Sequence, residues 1–192
     1  MGAWIGSIEE RFPGYDILGF DVDNEMLRTA RDRLGGQFTA GDARTLPIRN
    51  GEVDTVFFVA TLEFIPAVET VPSEAVRVLR PGGRLVALVL NTKSSYVRLN
   101  LQREGSYFQQ MVHRDSTKLA SLVEDYVHGQ REYFLGIRDR TVFESDDPSE
   151  AALVAISGHS LSYRLTVPKT VEWGQLSKQN TLNWTRYPIV ST

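Results

Sequence analysis

Two carboxylates hold positions where binding chemistry is expected. Asp21 directly follows the apolar stretch Tyr15-Asp16-Ile17-Leu18-Gly19-Phe20, and Asp42 follows Gly41 after residues 37–40. In an open parallel sheet, ligands bind beyond the carboxyl ends of the strands. A carboxylate at Asp21 can there accept hydrogen bonds from the vicinal hydroxyls of a ribose; it can equally be a helix-start acid stabilised by the macrodipole. A carboxylate at Asp42 can accept from an adenine amino group while the next N–H, that of Ala43, reaches a ring nitrogen. Taken alone, Gly41-Asp42 reads more simply as a turn. Ala60 to Glu63 and Asn91-Thr92 end two further apolar runs, residues 53–59 and 84–90.

Glu63, Asn91, Tyr96 and His113 are candidates for contact with a reacting molecule. Glu63 reads more simply as a helix-start carboxylate and His113 as a surface residue. Tyr96, Tyr107 and Phe108 fall in residues 92–113, where they either line an apolar pocket or pack a lid, packing being the simpler reading. His128 and His159 have no partner at metal-ligand spacing. The acids Glu144, Asp146, Asp147 and Glu150 lack a glycine-centred calcium loop and read as a solvated loop. No metal site is expected, and no residue is assigned as a general base.

The elements that must position these groups alternate. Trp4, Ile8 and Phe12 lie on one helix face, which Pro13-Gly14 stops. Residues 15–20 read as a buried strand. Asp23 or Asn24 can cap a helix with the stripe Met26, Leu27, Ala30 and Leu34, closed by Gly35-Gly36. Residues 37–40, 53–59 and 84–90 read as strands, with a helix around 73–79 and a tight turn at Pro81-Gly82-Gly83. Strands separated by helices imply right-handed crossovers and a parallel sheet, covered by helices on both faces. The second half is less regular. Asp115 caps a helix whose stripe runs Leu119, Leu122, Val123, Tyr126 and Val127, and residues 132–137 and 151–156 form an antiparallel pair joined by an acid-rich loop.

The composition narrows the classes. The chain has 192 residues, 42% hydrophobic and 23% charged, as an ordinary globular domain would. Net charge is −3 and no basic stripe is visible, so no nucleic-acid partner is expected. No apolar run reaches the ~18 residues of a membrane span, so no membrane partner is expected. There is no Cys and no charged-then-apolar leader, which fits a cytoplasmic protein.

In this order, the motifs resemble the class I S-adenosylmethionine-dependent methyltransferases. Ile17 to Leu27 looks like that family's second strand, its acid and the following helix start. Ala40-Gly41-Asp42-Ala43 with Leu46-Pro47 looks like the adenine-contacting loop. Val53-Asp54-Thr55-Val56 looks like the fourth strand, and Val78-Leu79-Arg80-Pro81-Gly82-Gly83-Arg84-Leu85 like the turn before the fifth. Each motif is weak alone; the four in order at family spacing form a specific signal over roughly the first 92 residues, and a looser one to about residue 158. The resemblance implies a doubly wound, mostly parallel Rossmann-like α/β fold. It implies S-adenosylmethionine as cofactor, held by Gly2, Asp21, Val22, Asp42, Ala43 and Ala60, and a small-molecule methyl acceptor. It places a methyltransferase-like domain at residues 1–158, with a lid-like segment about 92–113, and a C-terminal extension at 159–192.

The resemblance departs from the family at its start. Met1-Gly2-Ala3-Trp4 looks like the tail of the family's Gly-x-Gly-x-Gly turn, with Gly2 as its last glycine, 19 residues before Asp21. The expectation is a chain that begins inside that motif, lacks the first central strand, exposes sheet edges prone to self-association and binds the cofactor weakly. Methyl transfer from a sulfonium is an in-line displacement that depends mainly on alignment, so an absent catalytic dyad does not exclude it. Two rivals stay open on sequence. A nicotinamide oxidoreductase shares the sheet, but Tyr96, Tyr107, Tyr133, Tyr163 and Tyr187 each lack a Lys four residues on. A methyltransferase-like binding module without activity is the other.

Overall fold

A computed structural model describes residues 14–34, 37–138 and 141–160. The expectations for Gly2, for the helix through Trp4, Ile8 and Phe12, for Gly35-Gly36, and for residues 161–192 lie outside them.

The first unit is a short parallel pair. β1 (Leu18–Asp21) lies beside β2 (Gln37–Ala40), with Asp21 opposite Ala40. The crossover is α1 (Asn24–Leu34). Its start is set by Asp23, whose carboxylate accepts from the N–H groups of Glu25 (2.8 Å) and Met26 (3.4 Å), the expected use of a short acidic cap. Leu27 and Ala30, one helical turn apart, are fully buried against Phe38 of β2. The Arg31 guanidinium donates to the Phe38 carbonyl at 2.6 and 3.2 Å, tying helix to strand.

The second unit is a five-stranded sheet. β3 (Val53–Val59) pairs in parallel with β4 (Leu79–Leu90); β7 (Ala151–Ser160) runs antiparallel to β4 and to β5 (Val127–Arg138), which carries the short β6 (Thr141–Phe143). The order is β3-β4-β7-β5-β6. Among the described residues β1 pairs only with β2, and β3 only with β4. α2 (Val71–Val78) and α4 (Ser116–Glu124) bury Val71, Ala75, Leu119, Ala120 and Val123 in one core with Leu85, Ala87, Val89, Val154 and Ile156. The fold is Rossmann-like, with parallel strands first and an antiparallel C-terminal hairpin, as the resemblance implied.

Several boundaries differ from expectation: β1 covers Leu18–Asp21 rather than residues 15–20, β5 begins at Val127 rather than 132, and β7 runs to Ser160 rather than 156. β4 begins at Leu79, five residues before Arg84, because Pro81-Gly82-Gly83 is an irregularity within the strand. The register jumps from Val53 opposite Leu79 to Thr55 opposite Arg84. Gly83 is confined there: a Cβ would stand 2.8 Å from the Arg80 carbonyl oxygen and 3.1 Å from that of Asp54. Tyr126 and Val127 lie beyond α4. Asp115 caps the helix through the N–H groups of Thr117 and Lys118, both at 3.0 Å, but the helix ends at Glu124. Val127 opens β5 opposite Ser160. Residues 92–113 fold as α3 (Ser95–Gln102), capped by the Ser94 hydroxyl, and a 3-10 turn over Tyr107–Gln110.

Candidate functional site

The mouths of β1 and β2 are adjacent. Gly41 N–H donates to the Asp21 carbonyl at 3.0 Å, so the chain segments bearing the two carboxylates are joined where the strands end. Asp21 is 2% exposed, and its Oδ1 accepts from Asp23 N–H at 2.9 Å, which aligns the carboxylate at the start of α1. Gly41 is fitted to its place: a Cβ would lie 2.7 Å from the Phe20 ring. Val22, beside the buried acid, is 62% exposed, an apolar side chain open to a flat ligand.

Asp42 is more heavily engaged than a turn reading predicts. Its carboxylate accepts from Arg44 N–H (2.9 Å), Nε (3.0 Å) and Nη2 (2.6 Å). These bonds, the side-chain pair first, hold its pKa below the usual carboxylate range. Arg44 also reaches the Pro66 carbonyl at 3.3 Å, linking this loop to the segment after β3. Ala43 packs against the main core.

At the mouth of β3 the backbone leaves the strand abruptly. Ala60 is buried with φ +45°, a left-handed conformation unfavourable for a residue with a Cβ and one that recurs at functional sites. Its N–H makes the last ladder bond to the Leu88 carbonyl at 2.8 Å. The next ladder donor, Leu90 N–H, has no β3 carbonyl to meet. Glu63 Oε1 accepts from it instead, so a side chain extends the ladder where the backbone has turned away.

Glu63 is fully buried in the 3-10 turn Leu62–Phe64, and its Oε2 has no hydrogen-bond partner. Burial pushes its carboxyl up to about 7, against the opposing pull of the Leu90 N–H and its own. The Glu63 carbonyl accepts from Val112 N–H (2.9 Å) and His113 N–H (3.0 Å), which fastens the end of the 92–113 segment to the β3 mouth.

Tyr107 stands beside the 3-10 turn at the β3 mouth. Its ring lies 4.6 Å, centroid to centroid, from that of Phe64. Its hydroxyl is pushed up to about 12 by burial and then by the charges of Asp21, Glu63 and Asp23. Phe64 itself, with Tyr96, Phe108 and Phe134, packs on Ala60, Leu90 and Met111, and Tyr96 and Phe108 are in edge contact at 6.0 Å.

The remaining candidates have other duties. Asn91 is fully buried and its polar atoms are occupied. Nδ2 donates to Pro148 and Ala151 carbonyls at 2.8 and 2.7 Å, and Oδ1 accepts from Lys93 N–H at 3.1 Å. It locks the end of β4 to the start of β7 and offers nothing to a reacting molecule. His113 bonds the Ile65 carbonyl at 3.0 Å. The ladder-extending role of Glu63 has one sequence signal: a lone carboxylate in the otherwise apolar run Ala60-Thr61-Leu62-Glu63-Phe64-Ile65.

Residues 1–87 match the family model for the methyltransferase domain. Ubiquinone/menaquinone biosynthesis C-methyltransferase of Methylobacterium nodulans is 33% identical over 82 residues, 40% of this chain and 32% of that protein. Malonyl-[acyl-carrier protein] O-methyltransferase of Methylococcus capsulatus is 34% identical over 88 residues, 44% and 32% of the two chains. The chain spans about a third of the length of these relatives. Among solved structures, a SAM-dependent methyltransferase of Archaeoglobus fulgidus superposes with TM-score 0.66 at 13% identity, covering 82% of this chain and 83% of that one. One of Methanosarcina mazei gives 0.59 at 18%, covering 83% and 90%. The structures share the fold, and the domain match covers the first 87 residues. Residues 1–87 are thus similar to a methyltransferase domain, and the described residues share the fold of SAM-dependent methyltransferases.

Proposed function

We propose that the protein transfers a methyl group from S-adenosylmethionine to a small-molecule acceptor. The observation that carries this reading is the junction of the Asp21 and Gly41-Asp42 mouths through the Gly41 N–H to Asp21 carbonyl bond. The residues fit the adenosine half of the cofactor. Asp21 is a buried acceptor suited to paired ribose hydroxyls, Val22 an exposed apolar side chain suited to a ring face, and Asp42 with the Ala43 N–H a donor–acceptor pair suited to an adenine edge. Ala60, at the β3 mouth, is assigned to the cofactor by resemblance, and so is Gly2, to its amino-acid end. When bound, the cofactor supplies an activated methyl group.

The chain's own residues then orient and shield. The aromatic cluster of Phe64, Tyr96, Tyr107 and Phe108 excludes water and offers apolar ring surfaces to the acceptor. Alignment of donor and acceptor is the main catalytic demand of such a displacement. A neutral or weakly polar metabolite in the cytoplasm suits this lining better than a polyanion, since the charges nearest Tyr107 are carboxylates. The test is calorimetric titration with S-adenosylmethionine and S-adenosylhomocysteine, followed by detection of S-adenosylhomocysteine formed with a panel of phenols, amines and quinols. Saturable binding with turnover on a panel member supports the reading, and no binding of either ligand overturns it.

A further inference from the structure

The connection between β2 and β3 is held by one pair of side chains on α2. Glu74 and Arg77 stand one helical turn apart on that helix, whose Val71, Ala75 and Val78 are fully buried, so the pair has a rigid mount. Every nitrogen of the Arg77 guanidinium is engaged. Nε donates to Glu74 Oε2 at 2.7 Å, and Nη2 to Glu74 Oε1 at 2.7 Å and to the Leu46 carbonyl at 3.1 Å. Nη1 donates to the Ile48 carbonyl at 2.8 Å and to Asn50 Oδ1 at 2.6 Å. Glu74 Oε1 also accepts from Leu46 N–H at 2.6 Å. Both backbone polar groups of Leu46 therefore end on this pair. The turn that carries Asp42 and Ala43 hangs between two anchors: before it, Gly41 N–H on the Asp21 carbonyl, and after it, Leu46 on α2. Within it, Thr45 N–H closes on the Asp42 carbonyl at 2.9 Å.

We infer that Glu74 and Arg77 are a positioning pair for recognition of the adenine base: by fixing Leu46 against α2 they set the direction of the Asp42 carboxylate and of the Ala43 N–H. The inference rests on the function proposed above. An acceptor and a donor that read one purine edge must keep their mutual spacing, because hydrogen bonds weaken steeply with misalignment. Thr45 and Arg44 fix the shape of the turn through their bonds to Asp42, but a turn anchored at Gly41 alone could still pivot there. The other restraints are slighter. Ala43 packs on the core through a single methyl group, and Arg44, itself 41% exposed, reaches the Pro66 carbonyl only at 3.3 Å. The Leu46 anchor consists of charge-assisted bonds from a pair whose side chains are 13% and 32% exposed. Arginine is required at 77, since its planar fork spreads donors toward acceptors in several directions, which the single ammonium of lysine does not.

The experiment is calorimetry of the full chain with S-adenosylhomocysteine and with its inosine counterpart, in which a carbonyl oxygen replaces the purine amino group and the neighbouring ring nitrogen carries a hydrogen. The unaltered protein should prefer the adenine form, since the inosine edge turns an acceptor toward Asp42 and a donor toward the Ala43 N–H. In Arg77→Lys this preference should shrink by about three- to tenfold, the weight of one misaligned hydrogen bond. Glu74→Gln, which keeps an amide oxygen for Leu46 N–H, should show a smaller loss in the same direction and carries the test if Arg77→Lys does not fold. Asp115→Ala removes a cap on α4 and controls for lost stability; it should keep the full preference. A purely structural pair would lower the affinity for both ligands alike. Unchanged preference in both Arg77→Lys and Glu74→Gln, or an equal loss in Asp115→Ala, overturns the inference and leaves the methyltransferase reading standing. Saturable binding of S-adenosylhomocysteine with no adenine preference in the unaltered protein does the same. Failure of both S-adenosylmethionine and S-adenosylhomocysteine to bind overturns the two together.

Discussion

Replacing Glu63 by Gln should make the fold more tolerant of alkaline pH. In the unfolded chain the carboxyl ionises near 4.5; in the ligand-free fold, burial holds it at about 7. As pH rises from 4.5, the unfolded chain gives up this proton first. The stability that Glu63 contributes is therefore complete below 4.5, falls between 4.5 and 7, and stays low above 7. At about 1.4 kcal/mol per tenfold change in proton affinity, that interval corresponds to on the order of 3 kcal/mol. Gln retains an acceptor for Leu90 N–H and cannot ionise. Denaturant unfolding at about pH 5 and about pH 8 should show the wild type losing about 3 kcal/mol more than Glu63→Gln across that range. Other groups, such as Asp42 and Glu74, whose values are lowered by their arginine partners, push stability the opposite way, equally in both proteins. The difference between the proteins isolates Glu63. Identical pH profiles would refute the claim that a neutral carboxyl caps the β3–β4 ladder.

Three further outcomes are expected. Asp42→Ala should weaken S-adenosylmethionine binding in calorimetry, but less than loss of Asp21, because its carboxylate is shared with Arg44; stability should change by under about 1 kcal/mol, as for other exposed ion pairs. Asp115→Ala removes the acceptor of two amide donors at the start of α4 and should lower unfolding free energy by about 1 kcal/mol in denaturant titration. Gly129→Ala would set a Cβ 1.7 Å from the Ser157 carbonyl oxygen where β5 crosses β7, and thermal melts should show a loss of about 1–3 kcal/mol or outright failure to fold.

Much of the first half was legible because its information is local. The apolar runs at β1, β3 and β4, the acid at Asp23 and the stripe of Leu27 and Ala30 each specify an element within a few residues. Boundaries set by pairing were not legible. Val127 continues the α4 stripe yet joins β5, because the strand partner opposite it lies at Ser160, 33 positions on. Pro81-Gly82-Gly83 reads as a turn but is absorbed into β4, because its neighbours on both sides pair with β3.

The site divides the same way. Asp21 and Asp42 follow strands in the sequence, so their placement at the strand mouths could be expected. Asn91 also follows a strand, yet its amide is consumed by carbonyls more than 50 residues away, which no local pattern reveals. Glu63 reads locally as a helix-start acid; its duty depends on a ladder donor at Leu90 and on the backbone of Val112 and His113, which bonds its carbonyl. Side chains whose partners come from the far end of a sheet are the ones that sequence cannot place.

The most direct test of the account is calorimetric titration of S-adenosylmethionine into the full chain and into Asp21→Asn, which keeps the side chain's shape and removes its charge. Loss of a charge-assisted bond to a hydroxyl is worth about 1.5–3 kcal/mol, so the account predicts saturable binding that weakens by roughly ten- to a hundredfold. Equal affinity in the two proteins would contradict the placement of the cofactor's ribose at the mouth of β1.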